Sequence, residues 1–236
     1  MDLSIIIPTY NEAKNLDELV PLINNSLQTT EYELIIVDDN SPDGTGKIAE
    51  KLSDKYPLRT IHRNRKMGLA TAVMDGFKIA KGDLFCVMDA DLSHPPEKIT
   101  EMIDFLKKGN ADIVVGSRLI EGGRIEKWPF IRRLISFCAK CLVRPLTSIK
   151  DPMSGFFIIK RNVLKNTQLK PLGYKILLEI LVKGRYKKII EYPFVFKNRT
   201  NGKTKLDTKT VFYYFVHVVR LYYYSLFSKK HAKVFK

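Results

Sequence analysis

Over its first 120 residues the chain alternates short apolar runs with amphipathic stretches, and no other feature limits its fold so severely. The runs LSIIIP (3–8), ELIIVDD (33–39), DLFCVMDAD (83–91) and ADIVVGSR (111–118) have the length and side-chain content of buried strands, with LRTIHR (58–63) a weaker fifth. Between them, Leu16, Leu19, Val20, Ile23 and Leu27 recur at helical spacing in 12–28. Residues 43–55, 68–80 and 96–107 also read as helices, the last opening behind Pro95-Pro96. Such alternation predicts an α/β fold with a mainly parallel, Rossmann-like sheet and helices on both faces. Ligands of such sheets sit beyond the carboxyl ends of the strands.

The notable polar residues lie at those ends. PTYNE follows the first run, DDNSPDGT the second, DADLSHPPE the run at 83–88, and GSR closes the run at 111–118. Four motifs therefore converge on one sheet edge. Asp89 and Asp91 are the costly members, because a carboxylate beside a buried strand must be paired, and no Lys or Arg lies within five residues on either side. In extended backbone the two point the same way, about 6.5–7 Å apart. Hard oxygen ligands suit Mg²⁺ or Mn²⁺, which complete their shells with substrate phosphates and water. The alternative is a turn Asp plus a helix cap, with Asp91 or Ser93 capping the helix behind Pro95.

In VDDNSPDGT, Pro42 and Gly44 are turn residues. Asp38 or Asp39 is positioned to accept hydrogen bonds from a ribose or base. Tyr10 offers a stacking face, and Glu12 is either a polar anchor or a first-turn helix acid. Neither GxGxxG nor GxxxxGK[ST] is present, which argues against a dinucleotide or P-loop site. Farther on, FKNRTNGKTKL (196–206) sets Arg199, Lys203 and Lys205 about an Asn-Gly turn. Such a loop is either a solvated charged surface or a clamp over phosphate oxygens.

The formal net charge is +15, and 14 Lys/Arg against only Glu191 and Asp207 fall between Lys183 and Lys236. That block points to a polyanionic partner: nucleic acid, an anionic membrane or phosphorylated substrates. Nucleic acid is disfavoured, since no RNP, KH or zinc-finger pattern occurs and the acidic edge would go unexplained. Three cysteines argue for a reducing compartment, and Cys138/Cys141 read as two small side chains on one helix face. The start MDLSIIIPTYNE lacks the basic region and cleavage site of a signal peptide. Residues 119–150 break the alternation with a basic, apolar helix containing Trp128, Phe130, Arg132 and Arg133. It suits either a membrane interface or the domain's flank. TVFYYFVHVVRLYYYSLF (210–227) is aromatic-rich but carries His217 and Arg220, which disfavours a membrane span. It reads as a helix lying on a membrane or a partner, or alternatively as a buried amphipathic core helix, followed by a basic tail suited to an anionic leaflet.

SIIIPTYNE, IIVDDNSPDGT, VMDADLSHPPE, DIVVGSR and GYKILLEILVKGRYKKIIEYPFVFKNRTNGKTKL together resemble the family-2 glycosyltransferases of GT-A fold, and among them the dolichol-phosphate mannose synthases, over residues 3 to 206. The resemblance implies a GT-A (nucleotide-diphospho-sugar transferase) catalytic domain at 1–207, with 119–150 as an interface-helix insert. Residues 208–236 would form an amphipathic C-terminal helix and tail for a membrane or partner. It implies that Pro8, Tyr10, Glu12, Val37 and Asp39 line a guanosine pocket. Asp89, Ala90 and Asp91 would form the DxD motif for Mg²⁺ or Mn²⁺ and the donor phosphates. Arg118, Arg199 and Lys205 would hold donor or acceptor phosphates. Some relatives place a Gln metal ligand where this chain has Ser93, which leaves that ligand weaker, water-bridged or absent. The implied reaction is inverting transfer of mannose from GDP-mannose to dolichyl or another polyprenyl phosphate, with Asp91, Arg118 and Arg199 as catalytic residues. The implied place is the cytoplasmic face of a membrane, held peripherally or by small anchoring subunits. A polyprenyl-phosphate glucosyltransferase using UDP-glucose is the nearest rival reading.

Overall fold

The computed structural model describes residues 1–126, 129–197 and 208–227, and for Phe130, Arg132 and residues 208–210 the backbone alone. Strands β1 (Leu3–Thr9), β2 (Tyr32–Asp38), β3 (Leu58–His62), β4 (Leu84–Val87) and β5 (Ile113–Ser117) alternate with helices α1 (Ala13–Ser26), α2 (Thr45–Ser53), α3 (Leu69–Ile79) and α4 (Lys98–Lys108), as the periodicity predicts. Beyond them come a two-residue strand β6 (Arg124–Ile125) and helix α5 (Phe130–Val143). They are followed by β7 (Phe157–Lys160), α6 (Ile176–Lys183), β8 (Ile189–Pro193), β9 (Val195–Phe196) and α7 (Thr208–Phe227).

Seven strands form one sheet in the order β3-β2-β1-β4-β7-β5-β8. All neighbours run parallel except β7, which lies antiparallel between β4 and β5. The period-2 rule explains why the central strands read as unbroken apolar runs. Ile5, Ile7, Leu34 and Ile36 face one layer, against Leu16, Leu19 and Ile23 of α1 and Ile99 and Met102 of α4. Ile6, Ile35 and Val37 face the other, against Ala70 and Val73 of α3 and Ile176, Leu177 and Ile180 of α6. Helix α3 lies so close to β1 that a Cβ on Gly76 would sit 2.4 Å from Ile6 Cγ2; only glycine fits there.

A third cluster joins Val143 of α5, Leu178 and Val182 of α6, and Tyr214, Val218 and Leu221 of α7. The Tyr214 hydroxyl donates to Ala139 O (2.6 Å) and that of Tyr222 to Leu142 O (2.7 Å). Helix α7 thus packs one side on the domain, while Phe212, Phe215, Val219, Tyr223, Leu226 and Phe227 stay exposed. On α5, Ile131, Leu134, Ile135, Phe137 and Leu142 are exposed likewise. Among the described residues, no helix is long and apolar enough to cross a membrane. Cys138 and Cys141 are free and exposed on α5.

Candidate active site

Because β1, β2, β4 and β5 run the same way, their carboxyl ends meet at one edge, with Thr9 paired to Asp38 and Ile6 to Val87. The chain leaves β1 and β2 through left-handed Asn11 (φ 61°) and Asn40 (φ 57°), a backbone state Asn tolerates best after Gly. The two aspartates after β2 divide the work. Asp38 is tied into the turn: Oδ1 accepts from Thr9 Oγ1 (3.2 Å) and Ser41 Oγ (2.5 Å), and Oδ2 from Ser41 N (3.0 Å). Asp39, also buried, takes the Arg63 Nη1 donor at 2.5 Å and the amides of Met67 (3.2 Å) and Gly68 (2.8 Å).

Arg63 is itself buried, donating Nη2 to Thr71 Oγ1 (2.8 Å), with Asp75 Oδ2 3.3 Å from its Nε. This guanidinium offsets the charge on Asp39 and pins residues 64–68 over the end of β2. Lys66 Nζ stands 3.8 Å from the centroid of the half-buried Tyr10 ring. Glu12 Oε2 accepts from Asn15 Nδ2 (2.6 Å), while its backbone N–H donates to Thr45 Oγ1 (2.9 Å). Asp43 completes the rim: burial pushes its carboxyl up, but bonds from Thr45 and the Ala13 amide hold it below the usual range. Pro8 is half-buried, and Val37 and Ala90 lie inside.

The acidic pair departs from the extended geometry the sequence suggests. Strand β4 stops at Val87, and Leu92 adopts a left-handed φ of 60°, so residues 88–93 bend away from the sheet. Asp91 turns inward with a residue exposure of 2%, and the Asp89 side chain stays 28% exposed. Asp91 Oδ1 accepts from Ser93 Oγ at 2.5 Å and Ser93 N at 3.2 Å, a local turn that fixes its carboxylate. Helix α4 starts only at Lys98, and its N-cap residue Glu97 makes no side-chain cap. Neither Asp91 nor Ser93 therefore caps it.

Around the Asp89–His94 turn stand three groups that no sequence motif marks. His94, almost wholly buried, accepts the Asp89 N–H at Nδ1 (2.9 Å). Gly155 packs close: a Cβ there would lie 3.3 and 3.4 Å from the two Asp89 oxygens. Asp151 grips Arg118 in a bidentate pair (Nε–Oδ2 2.7 Å, Nη2–Oδ1 2.8 Å) and is held in turn by the Glu191 carboxylate through its own N–H (3.0 Å). Burial raises the Asp151 pKa, but the Arg118 guanidinium outweighs that and holds it below the ordinary carboxylate value.

Arg118 thus reaches this edge from β5 with its charge already matched, and packs 5.3 Å from the Phe196 ring. Arg199 and Lys205 lie outside the described residues. Only Arg63 followed a rule available from the sequence, standing at the end of the weak fifth strand. Asp151 and His94 carry no such signal.

Among the described residues, no group of three or more His, Cys, Asp and Glu is arranged to hold a metal by itself. Asp89 and Asp91 fit the open type of site, in which two hard carboxylates share a cation with a phosphorylated ligand. The Asp89 side chain is partly exposed, which leaves its oxygens accessible to such a ligand.

Residues 4–167 match the family described as Glycosyl transferase family 2. The chain is 49% identical over 225 residues to a dolichol-phosphate mannosyltransferase of Pyrococcus furiosus, covering 94% of this chain and 64% of that protein. It therefore spans just under two thirds of that relative's length. It is 37% identical over 238 residues to a dolichol-phosphate mannosyltransferase of Saccharomyces cerevisiae, covering 95% and 88%. Among solved structures it is similar to glucosyl-3-phosphoglycerate synthase from Mycobacterium tuberculosis. The complex with UDP superposes with a TM-score of 0.70 at 16% identity, covering 93% of this chain and 79% of that one. The complex with Mn²⁺, UDP-glucose and phosphoglyceric acid gives 0.65 at 17%, covering 86% and 72%. At those identities the likeness is one of fold, a GT-A sheet with flanking helices.

Proposed function

The chain belongs to glycosyl transferase family 2 and is a glycosyltransferase, and on that premise we propose that it transfers mannose from GDP-mannose to the phosphate of dolichyl or a related polyprenyl phosphate, inverting the anomeric carbon. The likeness to dolichol-phosphate mannosyltransferases along nearly the whole chain supports the substrate class. The observation that carries the chemistry is the meeting of Asp89, Asp91 and the Arg118–Asp151 pair at one sheet edge. We propose residues 1–207 as the catalytic unit and 208–236 as the attaching one.

Pro8, Tyr10, Glu12, Val37 and Asp39 would line the guanosine pocket, with Arg63 setting the pose of Asp39. Asp89 and Asp91 would hold a hard divalent cation, Mg²⁺ or Mn²⁺; the Mn²⁺ bound to the fold relative supports a metal of this class. When bound, the cation neutralises charge on the donor diphosphate. The Ser93 hydroxyl spends its proton on Asp91 Oδ1, so its first task is to aim that carboxylate. Arg118 would orient the acceptor phosphate, and Arg199 and Lys205 would offset charge on the departing GDP. A phosphate monoester has a second pKa of about 6 and is largely ionised at neutral pH. It attacks as the anion, and no side chain has to remove a proton from it. The nearby imidazole agrees with this, since His94 Nδ1 is occupied by the Asp89 amide.

The exposed apolar side chains of α5 and α7, beside a chain of net charge +15, suit peripheral attachment to an anionic membrane surface where a lipid phosphate resides. The test is to incubate purified, folded protein with Mg²⁺ or Mn²⁺, radiolabelled GDP-mannose and dolichyl phosphate, with UDP-glucose as a parallel donor. Labelled lipid from GDP-mannose is expected. Labelling from UDP-glucose alone would overturn the donor, and no labelled lipid from either would overturn the reaction.

A further inference from the structure

The last ladder bond of β4 runs from Met88 N–H to Ile6 O at 3.3 Å. Beyond it the chain bends, and the amide of Asp89 has no strand to pair with. His94 supplies the missing acceptor: its Nδ1 takes the Asp89 N–H at 2.9 Å. That bond puts the imidazole proton on Nε2, which lies 4.0 Å from Asp89 Oδ2. One side chain therefore fixes the backbone of Asp89 by a hydrogen bond and stands next to the carboxylate of the same residue.

The ring cannot turn away from this task. It stacks on Phe156 (centroids 5.2 Å apart, planes at 13°) and meets Phe194 and Phe196 edge-on at 5.7 and 6.0 Å. Only 2% of the residue is exposed. A Cβ at position 155 would press on both groups, 3.1 Å from His94 Cε1 and 3.3 Å from Asp89 Oδ2. The groups facing the ring are Asp89, Asp91, Asp151 and Arg118, and burial, opposed by the carboxylates, holds the imidazole below its usual pKa.

We propose that His94 is a positioning residue that sets Asp89 for the divalent cation without binding the cation itself, so that the aromatic box of Phe156, Phe194 and Phe196 fixes metal affinity from behind the site. This rests on the metal reading given above. Outer-shell partners of metal-ligating groups typically change metal affinity or activity by about 10–100-fold when removed.

Two variants separate positioning from packing. His94→Phe keeps the stack and loses both nitrogens. His94→Asn keeps an acceptor at the δ position and loses the stack. Binding of Mn²⁺ to each protein in the presence of GDP is followed by the loss of the free Mn²⁺ electron-spin resonance signal, and melting temperatures are recorded alongside. The expected orders cross: Mn²⁺ affinity runs wild type, Asn, Phe, with the Phe variant about 10–100-fold weaker, while melting temperature runs wild type, Phe, Asn. Affinities that follow melting temperature, or that match wild type, would overturn the proposal. So would a directly bound histidine nitrogen in the hyperfine spectrum of the wild-type Mn²⁺ complex. Asp91→Asn separates the two levels. If it abolishes Mn²⁺ binding while the His94 variants bind normally, the metal reading stands and the role of His94 falls. If wild type binds no Mn²⁺ with GDP, both fall.

Discussion

Replacing Arg63 by Met would leave the buried Asp39 carboxylate without its cation. The Arg63 side chain is 3% exposed and that of Asp39 is 5%. The Met retains the apolar length of the stem but supplies none of the donors now given to Asp39, Thr71 and Gly68 O. Breaking a buried ion pair by removing one partner costs about 3–5 kcal/mol, because the remaining charge is desolvated and uncompensated. For a domain of this size each kcal/mol moves Tm by about 2–4 °C. Arg63→Met should therefore lower Tm by roughly 6–20 °C, read by calorimetry or circular dichroism. The double variant Arg63→Met/Asp39→Asn should recover part of the loss, since no charge is then stranded. GDP affinity should fall in the single variant as residues 64–68 lose their anchor. A Tm drop of only about 2–4 °C, the size expected of a solvated surface pair, with no recovery in the double variant, would refute the buried-network argument.

Asp91→Asn should lower kcat by about 10²–10³-fold, the scale of losing one electrostatic group aimed at developing charge, with Tm little changed; steady-state transfer assays and melting check both. The acid limb of stability carries Asp151, whose folded pKa lies below its unfolded value. Its contribution is complete above about pH 3.9 and is lost as pH falls through the folded value, so Asp151→Asn should flatten that limb in pH-dependent melting. His217 on α7 is buried, facing Glu179, Lys183 and Arg220, and burial holds its pKa below the usual imidazole value. Stability should accordingly be present above about pH 6.5 and fall as pH drops from there, and His217→Gln should remove part of that slope. Leu134→Asp and Phe215→Asp, both on exposed faces, should each weaken binding to anionic vesicles by tenfold or more, since burying such a side chain is worth about 1.5–3 kcal/mol; flotation measures it.

The parallel core and its working edge were legible in the sequence because they rest on local pattern. Unbroken apolar runs at β1, β2, β4 and β5, separated by helical periodicity, dictate a sheet covered on both faces. That order alone brings Tyr10, Asp39, Asp89 and Arg118 to one rim. What tertiary structure decided are matters of distance along the chain. Strand β7 slips antiparallel between β4 and β5, a pairing no local signal encodes. Arg118 finds Asp151 33 residues away, and Asp39 finds Arg63 24 residues away. Buried charges choose partners by proximity in space, and the sequence records only that some partner is required. For Asp89 and Asp91 the chemistry of two hard carboxylates indicates the class of partner. The bend at Leu92, the burial of Asp91 and the imidazole of His94 behind Asp89 appear only once Phe156, Phe194 and Phe196, from distant segments, close around that turn.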